Sequence, residues 1–378
     1  MKVLFVATVR SHIGQFHMPF IRKLKELGCT VDAAFKDNSD VKKGLDLSDI
    51  DNVYEISFSR SPYSTDNIKA YRQLKKVIDN GNYDAIHCHT PMGAVVTRLA
   101  ARDARKKGTK VIYTAHGFHF YKGASRKNWL IFYNVEKYLA KFTDCLILIN
   151  NEDYALAKEK QFAAKKILKV NGVGVDLSRF KPASTEDKLR LRREYGFNDD
   201  DFILIYPADF CFRKNQEMIF EAMELLIEKY ENIKLLLPGL NENPEAYMNK
   251  SKEMGIDKNV FFMGYRRDID KLVAMSDVSV STSRQEGLPI NLVEAMAVGN
   301  PLVVTDVRGN NDLAEEGMNG FLVPLNDSSL MADRILQLYD NPQLAEKFGK
   351  HSVSKAELYS EEAVVPEMVK IYKDLGLL

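Results

Sequence analysis

The most informative stretch of the chain is STSRQEGLPINLVEAMA, which runs from Ser281 to Ala297. The apolar residues at 277–281 predict a buried strand, and those at 292–296 predict the apolar face of a helix. Between them, the Glu-Gly-Leu-Pro turn places Glu286 at the carboxyl end of the strand, where open α/β sheets bind ligands. The first N–H groups of the helix stay free to hold an anion. Glu294 lies about two helical turns further on, and we expect its carboxylate to bind hydroxyl groups of the same ligand.

The rest of the chain repeats this alternation of apolar runs and longer amphipathic segments, which predicts parallel strands with crossover helices. The predicted strands are 2–8, 30–35, 53–58, 84–89, 110–115, 144–149 and 167–170 in the first half, and 202–208, 233–238, 260–264, 277–281, 301–305 and 320–323 in the second. The polar, proline-bearing segment 180–185 predicts a linker. We therefore expect an α/β protein with two Rossmann-like, doubly wound domains facing across a cleft. The domains are predicted at 1–181 and 182–359, with a C-terminal helix at about 360–378 packing back on the first.

Composition narrows the functional classes. The 378 residues are 45% hydrophobic and 28% charged, with a net charge of +1, so no nucleic-acid partner is indicated. The four cysteines are scattered without Cys-x-x-Cys spacing, which suggests neither a zinc ribbon nor a disulfide framework and fits a reducing, cytoplasmic environment. No segment approaches the roughly 18 apolar residues of a membrane span.

The ends of the first-half strands carry several polar residues. The segment 10–17 is predicted to be a loop whose single glycine, Gly14, does not match a dinucleotide fingerprint, so no nicotinamide or flavin cofactor is expected. Whether this loop takes part in ligand binding or only connects the strand to the next helix is equally open. His116 follows a strand and precedes Gly117, so it is predicted to enter the cleft, with a structural histidine as the alternative. His87 and His89 share one strand face, and packing is favoured over metal binding because further ligands are not evident.

In the second half, Arg213 and Lys214 follow the first strand and precede a predicted helix at Gln216. Such a pair can neutralise a diphosphate, the arginine as a bidentate fork and the lysine as a point charge, or can simply be solvated. The acidic run 198–201 precedes a strand, which is the wrong edge of the sheet for a site, and is interpreted as a turn. No metal site is predicted.

Together these motifs resemble the retaining glycosyltransferases of family four, which have the two-Rossmann GT-B architecture and use nucleotide-activated sugars. The resemblance depends most on the spacing of Glu286 and Glu294, and extends over nearly the whole chain. Supporting matches are the segments 171–176, 214–215, 237–239, 262–265 and 299–304. The segments 116–119 and 307–310 are similar to those of bacterial capsule and exopolysaccharide enzymes.

The resemblance implies a role for each candidate residue. Glu294 would hold the ribose, Glu286 and His116 would lie near the sugar, and Lys214 with Arg213 would bind the diphosphate. The remaining donor-binding positions that it implies are Gly14, Gly239, Tyr265, Arg266, Gly287, Leu288, Ile290 and Asn291; Pro289 has no N–H to donate. The donor would be a nucleotide sugar, with uridine as the base, and no cofactor or metal would be required. Two departures are Asp209, where the family often has a basic residue, and Gly14, where it has two glycines.

The acceptor is expected to be a glycan or a polyprenyl-diphosphate-linked sugar. The segment 98–127 has nine Lys or Arg against the single acid Asp103, and the aromatic and aliphatic run 129–133 follows. We predict that this region touches anionic lipid at the inner face of the plasma membrane, although a solvated basic helix followed by a core helix is equally open. Two further alternatives are a non-hydrolysing nucleotide-sugar epimerase and an inactive nucleotide-sugar-binding partner subunit.

Overall fold

The computed structural model describes residues 1–41 and 44–378. This part of the chain forms two compact units, the first made of residues 1–174 with 361–378 and the second of residues 175–360. The sequence placed the division at 181/182, but Val175 and Phe180 already belong to the apolar core of the second unit. The segment predicted to be a linker therefore begins inside that unit.

The first unit contains a seven-stranded parallel sheet. Its strands are β1 (Lys2–Val9), β2 (Thr30–Lys36), β3 (Asn52–Glu55), β4 (Ala85–His89), β5 (Lys110–Ala115), β6 (Cys145–Leu148) and β7 (Lys166–Lys169). Its helices are α1 (Arg10–Phe16), α2 (Met18–Glu26), α3 (Asp66–Gly81), α4 (Pro91–Ala100), α5 (Arg102–Lys106), α6 (Arg126–Asn128), α7 (Asn134–Ala140) and α8 (Asn151–Glu159), with a π-helical segment at Trp129–Tyr133.

The second unit contains a six-stranded parallel sheet. Its helices are α9 (Thr185–Glu194), α10 (Gln216–Ile227), α11 (Pro244–Glu253), α12 (Ile269–Met275), α13 (Ile290–Ala297), α14 (Asn310–Leu313), α15 (Ser328–Tyr339) and α16 (Pro342–Ala356), followed by a 3₁₀ turn at Glu357–Tyr359. Its strands are β8 (Phe202–Ile205), β9 (Ile233–Pro238), β10 (Val260–Gly264), β11 (Val278–Ser281), β12 (Leu302–Thr305) and β13 (Gly320–Val323).

The last helix, α17 (Glu361–Asp374), returns to the first unit. Its Tyr372 packs edge to face on Phe20 of α2, with ring centroids 5.1 Å apart, and its hydroxyl lies 3.0 Å from Nδ1 of His87. The C-terminal segment thus completes the core of the unit in which the chain begins.

Strand order in both sheets has the doubly wound pattern. It is β3-β2-β1-β4-β5-β6-β7 in the first unit and β10-β9-β8-β11-β12-β13 in the second. The order reverses between β1 and β4 and again between β8 and β11, and such switch points are where open α/β sheets bind ligands at the strand carboxyl ends. The predicted two-domain, Rossmann-like α/β fold is confirmed.

The central strands are buried because helices cover both faces of each parallel sheet. Every residue of β4, β6, β11 and β12 is buried, which explains why β6 and β12 are almost entirely apolar in sequence, whereas β4 and β11 also carry buried histidine or serine side chains. All thirteen predicted strands are present in the described chain, with ends shifted by a few residues. Among the described residues, none of the helices combines the length and the apolar character needed to cross a bilayer.

One local prediction is wrong. Residues 10–17 do not form a loop, because α1 begins at Arg10, directly after β1 ends at Val9. Gly14 lies inside this helix, where a Cβ atom would come within 3.0 Å of the Leu45 side chain. Because Gly14 has no side chain, α1 can pack closely against Leu45.

Candidate active site

The loops that follow β8 and β11 meet at the switch point of the second sheet. These strands are neighbours in parallel register, with Leu204 opposite Val278, so their carboxyl ends lie at the same edge. The first loop carries Arg213 and Lys214, and the second carries Glu286. The structure thus brings together two stretches that lie some seventy residues apart in the sequence, since Lys214 and Glu286 are separated by 72 positions.

An ion pair joins these two loops. Nζ of Lys214 lies 2.6 Å from Oε1 of Glu286, and the side chains are only 13% and 6% exposed. Arg213 contacts the other carboxylate oxygen at 3.4 Å and is 47% exposed. The three charged groups leave a net positive charge, with the arginine on the solvent side, which suits an incoming anion.

Two hydroxyl groups fix the position of the carboxylate. Ser283 donates a hydrogen bond of 2.6 Å to Oε1 of Glu286. The hydroxyl of Tyr206 lies 2.8 Å from both Oγ of Ser283 and the carbonyl oxygen of Lys214. Ser283 and Tyr206 were missed by the sequence analysis, because a single serine or tyrosine after a strand gives no signal without its neighbours.

The ion pair keeps both partners charged. Burial would raise the pKa of Glu286, but Lys214, Arg213 and the Ser283 hydroxyl outweigh it and hold the pKa below its usual range. Burial likewise opposes the charge on Lys214, but the Glu286 carboxylate outweighs it and raises the lysine pKa. The site therefore presents fixed charges at neutral pH.

The turn that carries Glu286 is held by Arg308 and Gly309. Nε of the buried Arg308 donates a 2.7 Å hydrogen bond to the carbonyl oxygen of Glu286. Gly309 has φ +83°, and a Cβ there would lie 2.6 Å from the carbonyl oxygen of Gly287. Only glycine allows this close approach at that backbone angle. Gly287 and Leu288 thus lie on a turn whose shape is set by the loop after β12.

The start of α13 lies directly after this turn. The helix begins at Ile290, and its N-cap Pro289 makes no side-chain capping bond. Its first N–H groups point away from the helix and are available to an anion. Nδ2 of Asn291 is buried and has no hydrogen-bond partner among the described residues, which is costly unless a ligand supplies an acceptor.

Glu294 lies one turn into α13 and has a different environment from Glu286. Burial raises its pKa to about 7, with the nearby Arg179 lowering it and Asp270 raising it by smaller amounts. Arg179 is itself paired with Asp270 at 2.8 Å. Among the described residues Glu294 has no direct ion-pair partner, so above its raised pKa it is a carboxylate whose oxygens are available to hydroxyl donors.

The remaining predicted donor residues of this unit lie after β9 and β10. A Cβ on Gly239 would be 1.9 Å from the carbonyl oxygen of Ala208, so this glycine permits the loops after β8 and β9 to touch. Tyr265 is 40% exposed, and Arg266 donates a 2.8 Å hydrogen bond to Asp268. Asp209 accepts a bond from the N–H of Leu240 at 2.9 Å, which indicates a loop-stabilising role.

The acidic run before β8 is a turn, as predicted. Oδ2 of Asp201 accepts a 2.8 Å hydrogen bond from the N–H of Asn198. Asp199 accepts one of 2.8 Å from Nε of Arg193.

In the first unit, His116 belongs to a cluster of imidazoles at the carboxyl ends of β4 and β5. Its Nε2 lies 3.4 Å from Nδ1 of His89, and its ring centroid is 4.5 Å from that of His12. Burial lowers the pKa of His116 to about 4, so its ring is neutral at pH 7. His87 is buried beneath the cluster, with Nε2 2.8 Å from Oγ1 of Thr114, and has a packing role as predicted.

The basic segment differs from expectation at one important position. Arg98 is 1% exposed and forms a buried ion pair of 2.9 Å with Glu136, so it is not part of a basic surface. Of the aromatic run, Trp129, Phe132 and Tyr133 pack against the core of the first unit. The side chain of Leu130, in the same run, is 72% exposed to solvent.

Two doubly wound units, with buried charges and a helix start at the switch point of the second, are typical of the GT-B glycosyltransferases. Comparison with known proteins agrees. Residues 2–150 match the family model "Glycosyl transferase 4-like", and residues 187–354 match "Glycosyl transferases group 1". The chain belongs to the GT-B glycosyltransferases of family four.

Three relatives illustrate the similarity. The putative glycosyltransferase EpsD of Bacillus subtilis is 45% identical over 98% of this chain and 96% of its own length. The Escherichia coli UDP-Gal:alpha-D-GlcNAc-diphosphoundecaprenol alpha-1,3-galactosyltransferase is 28% identical over 73% of this chain and 72% of its own. The crystal structure of Anabaena Alr3699/HepE with UDP and glucose has a TM-score of 0.81 at 21% identity and covers 99% of this chain and 100% of that one.

Proposed function

We propose that this glycosyltransferase moves a sugar from a UDP-sugar to a polyprenyl-diphosphate-linked or glycan acceptor, with retention at the anomeric carbon, in the synthesis of a cell-surface polysaccharide. The observation that carries the proposal is the ion pair of Lys214 with Glu286, flanked by Arg213 and the start of α13. This arrangement supplies positive charge and free N–H groups for a diphosphate, together with a fixed carboxylate for a sugar hydroxyl.

The charges suggest how the transfer is promoted. As the bond between sugar and diphosphate breaks, negative charge grows on the departing phosphate, and Lys214 and Arg213 with the α13 amides stabilise it. These groups are already in place, so transfer needs no divalent metal at the diphosphate. Glu286 accepts hydrogen bonds from the sugar and Glu294 holds the ribose hydroxyls, and the resemblance to family four assigns the neutral His116 of the first unit a role towards the same sugar. Tyr265 and Arg266 flank the base.

The proposed donor and acceptor are supported by relatives. The Anabaena structure contains UDP, and the Escherichia coli relative is named for a UDP-linked sugar and a diphosphoundecaprenol acceptor. A lipid-linked acceptor would require contact with the cytoplasmic face of a membrane. The segment that includes α6 and α7 presents Leu130, Tyr138 at 53% exposure and Lys141, whose Nζ lies 3.5 Å from the Tyr138 ring centroid. Such apolar and basic side chains suit an anionic lipid surface.

The test is a panel of nucleotide sugars with and without a short-chain polyprenyl-diphosphate-linked sugar. A bound donor should raise the melting temperature, and a tighter-binding donor should raise it more at the same concentration. Release of UDP should then depend on the acceptor, and the new linkage should have the anomeric configuration of the donor. Isomerisation of the donor without acceptor would identify an epimerase instead, and donor binding without turnover would indicate an inactive partner subunit.

Membrane contact is tested separately by flotation. The wild-type protein should float with anionic vesicles at low salt, and Leu130→Glu should reduce the floating fraction. Equal flotation with neutral and anionic vesicles, or none with either, would count against this part of the proposal.

A further inference from the structure

Four histidines of the first unit converge on one point. They are His12 on α1, His17 between α1 and α2, His89 at the end of β4 and His116 just after β5. One ring nitrogen from each lies within 4.8 Å of those from the other three. The rings of His17 and His89 are stacked, with centroids 3.7 Å apart. Three separate stretches of chain, at residues 12–17, 89 and 116, therefore contribute to one small volume.

Hydrogen bonding within the protein does not satisfy this cluster. Nε2 atoms of His12, His17 and His89 are all buried without a hydrogen-bond partner in the described structure. His17 is 6% exposed and His89 is fully buried. A buried polar atom without a partner is destabilising, and one shared ligand would account for all three of these atoms, because their imidazole rings are neighbours.

We propose that these four imidazoles form a binding site for a zinc-type divalent cation. Imidazole nitrogen is a preferred ligand of zinc and its first-row neighbours, and four such ligands suit a tetrahedral ion. The group of four contains no carboxylate, so the oxygen-seeking ions calcium and magnesium are poor candidates. His87 is not a ligand, because Tyr372 and Thr114 already occupy its two ring nitrogens.

The geometry needs only a small adjustment. With Zn–N bonds of about 2.0–2.1 Å, the nitrogens of a tetrahedral site lie about 3.4 Å apart. Nε2 of His116 and Nδ1 of His89 are 3.4 Å apart, and the ligand atoms of the whole cluster lie within 4.8 Å of one another; the unpartnered Nε2 of His89 takes the ligand position when its ring is flipped. Because α1 and the α1–α2 junction carry two of the ligands, a small shift of their side chains can close the site.

The ion would join the first helix to the ends of β4 and β5 and would stabilise the first unit. Each histidine offers one ring nitrogen to the ion, so the other ring nitrogen of His116 stays available to a ligand.

The test uses full-length protein without an affinity tag, stripped with a chelator and then titrated with zinc. We expect one zinc per chain with a submicromolar dissociation constant, a higher melting temperature on binding, and, with cobalt instead of zinc, the intense visible bands of tetrahedral cobalt. His89→Asn and His12→Gln should each lose the tightly bound ion and the melting shift. The matched control is His119→Gln, because His119 is exposed and only three positions from His116.

The readout does not depend on enzymatic turnover, and both variants are checked by circular dichroism without metal. If His89→Asn does not fold, His12→Gln decides the question, because the ring of His12 is partly exposed and its replacement disturbs the core less. The proposal is overturned if the stripped wild-type protein takes up no stoichiometric zinc. It is equally overturned if the folded cluster variant keeps the ion, or if His119→Gln loses it.

Discussion

Replacement of Glu294 by glutamine should stabilise the protein while weakening its donor binding. Burial raises the pKa of this carboxyl from 4.5 to about 7, so between these values the folded state holds a proton that the unfolded state has released. Stability contributed by the protonated group is therefore complete below pH 4.5, declines as the pH rises towards 7, and is absent above it. A pKa difference of about 2.5 corresponds to about 3 kcal/mol at pH 8. Glutamine has nearly the same shape but never ionises, so it avoids this cost.

The assay is thermal unfolding of the two proteins at about pH 5 and pH 8, without ligand. We expect nearly equal melting temperatures at the lower pH and a variant that melts roughly 5–10 °C higher at the upper one. The affinity for UDP at pH 8 should fall about 10- to 100-fold, because hydrogen bonds from the ribose hydroxyls to a charged acceptor are lost. Glu224→Gln, an exposed carboxylate on α10, is the control and should change neither quantity. A variant with no pH-dependent gain in melting temperature and unaltered UDP affinity would refute the assignment of Glu294.

Two further substitutions test the packing around the sites. Gly239→Ala should destabilise the protein by about 1–3 kcal/mol and weaken UDP binding, because the added Cβ would lie 1.9 Å from the carbonyl oxygen of Ala208. An unchanged melting temperature and an unchanged UDP affinity would show that the two loops accommodate the extra methyl group. Arg98→Met should cost about 3–5 kcal/mol by leaving Glu136 buried without its partner, and adding Glu136→Leu should recover most of the loss. Arg102→Met, which removes an exposed arginine nearby, should have little effect, and an equal loss there would contradict the importance of the buried pair.

Much of the fold follows from local pattern. Strands such as β6 and β12 are buried on both faces and appear in the sequence as apolar runs, and the turn between Glu286 and Glu294 is marked by its glycine and proline. Helix α1 was missed because it begins directly after β1 without a turn residue or capping side chain. This helix is also short and has few apolar residues, so its sequence shows no helical periodicity.

Side-chain partnerships across the fold could not be predicted in the same way. Arg98 looked like part of a basic surface because charge is counted along the chain, whereas its burial depends on Glu136 in a later helix. The histidine cluster could not be predicted from the sequence, because the two-residue repeat of a β-strand places only His87 and His89 on a common face. The other ligands come from α1, its junction with α2 and the end of β5, which only the sheet order brings together.

The most direct test of the proposed donor site is the kcat/KM of Lys214→Ala for the donor that the panel identifies. Lys188→Ala is the matched control, because it removes a lysine of the same unit that is paired at 2.8 Å with Asp277, at the opposite end of β11. We predict that Lys214→Ala loses at least about 100-fold in kcat/KM, the typical effect of removing one preorganised stabilising group, while Lys188→Ala retains its activity. If folded Lys214→Ala protein transfers sugar as fast as the control, the diphosphate is not held by the loop after β8 and the proposed mechanism is wrong.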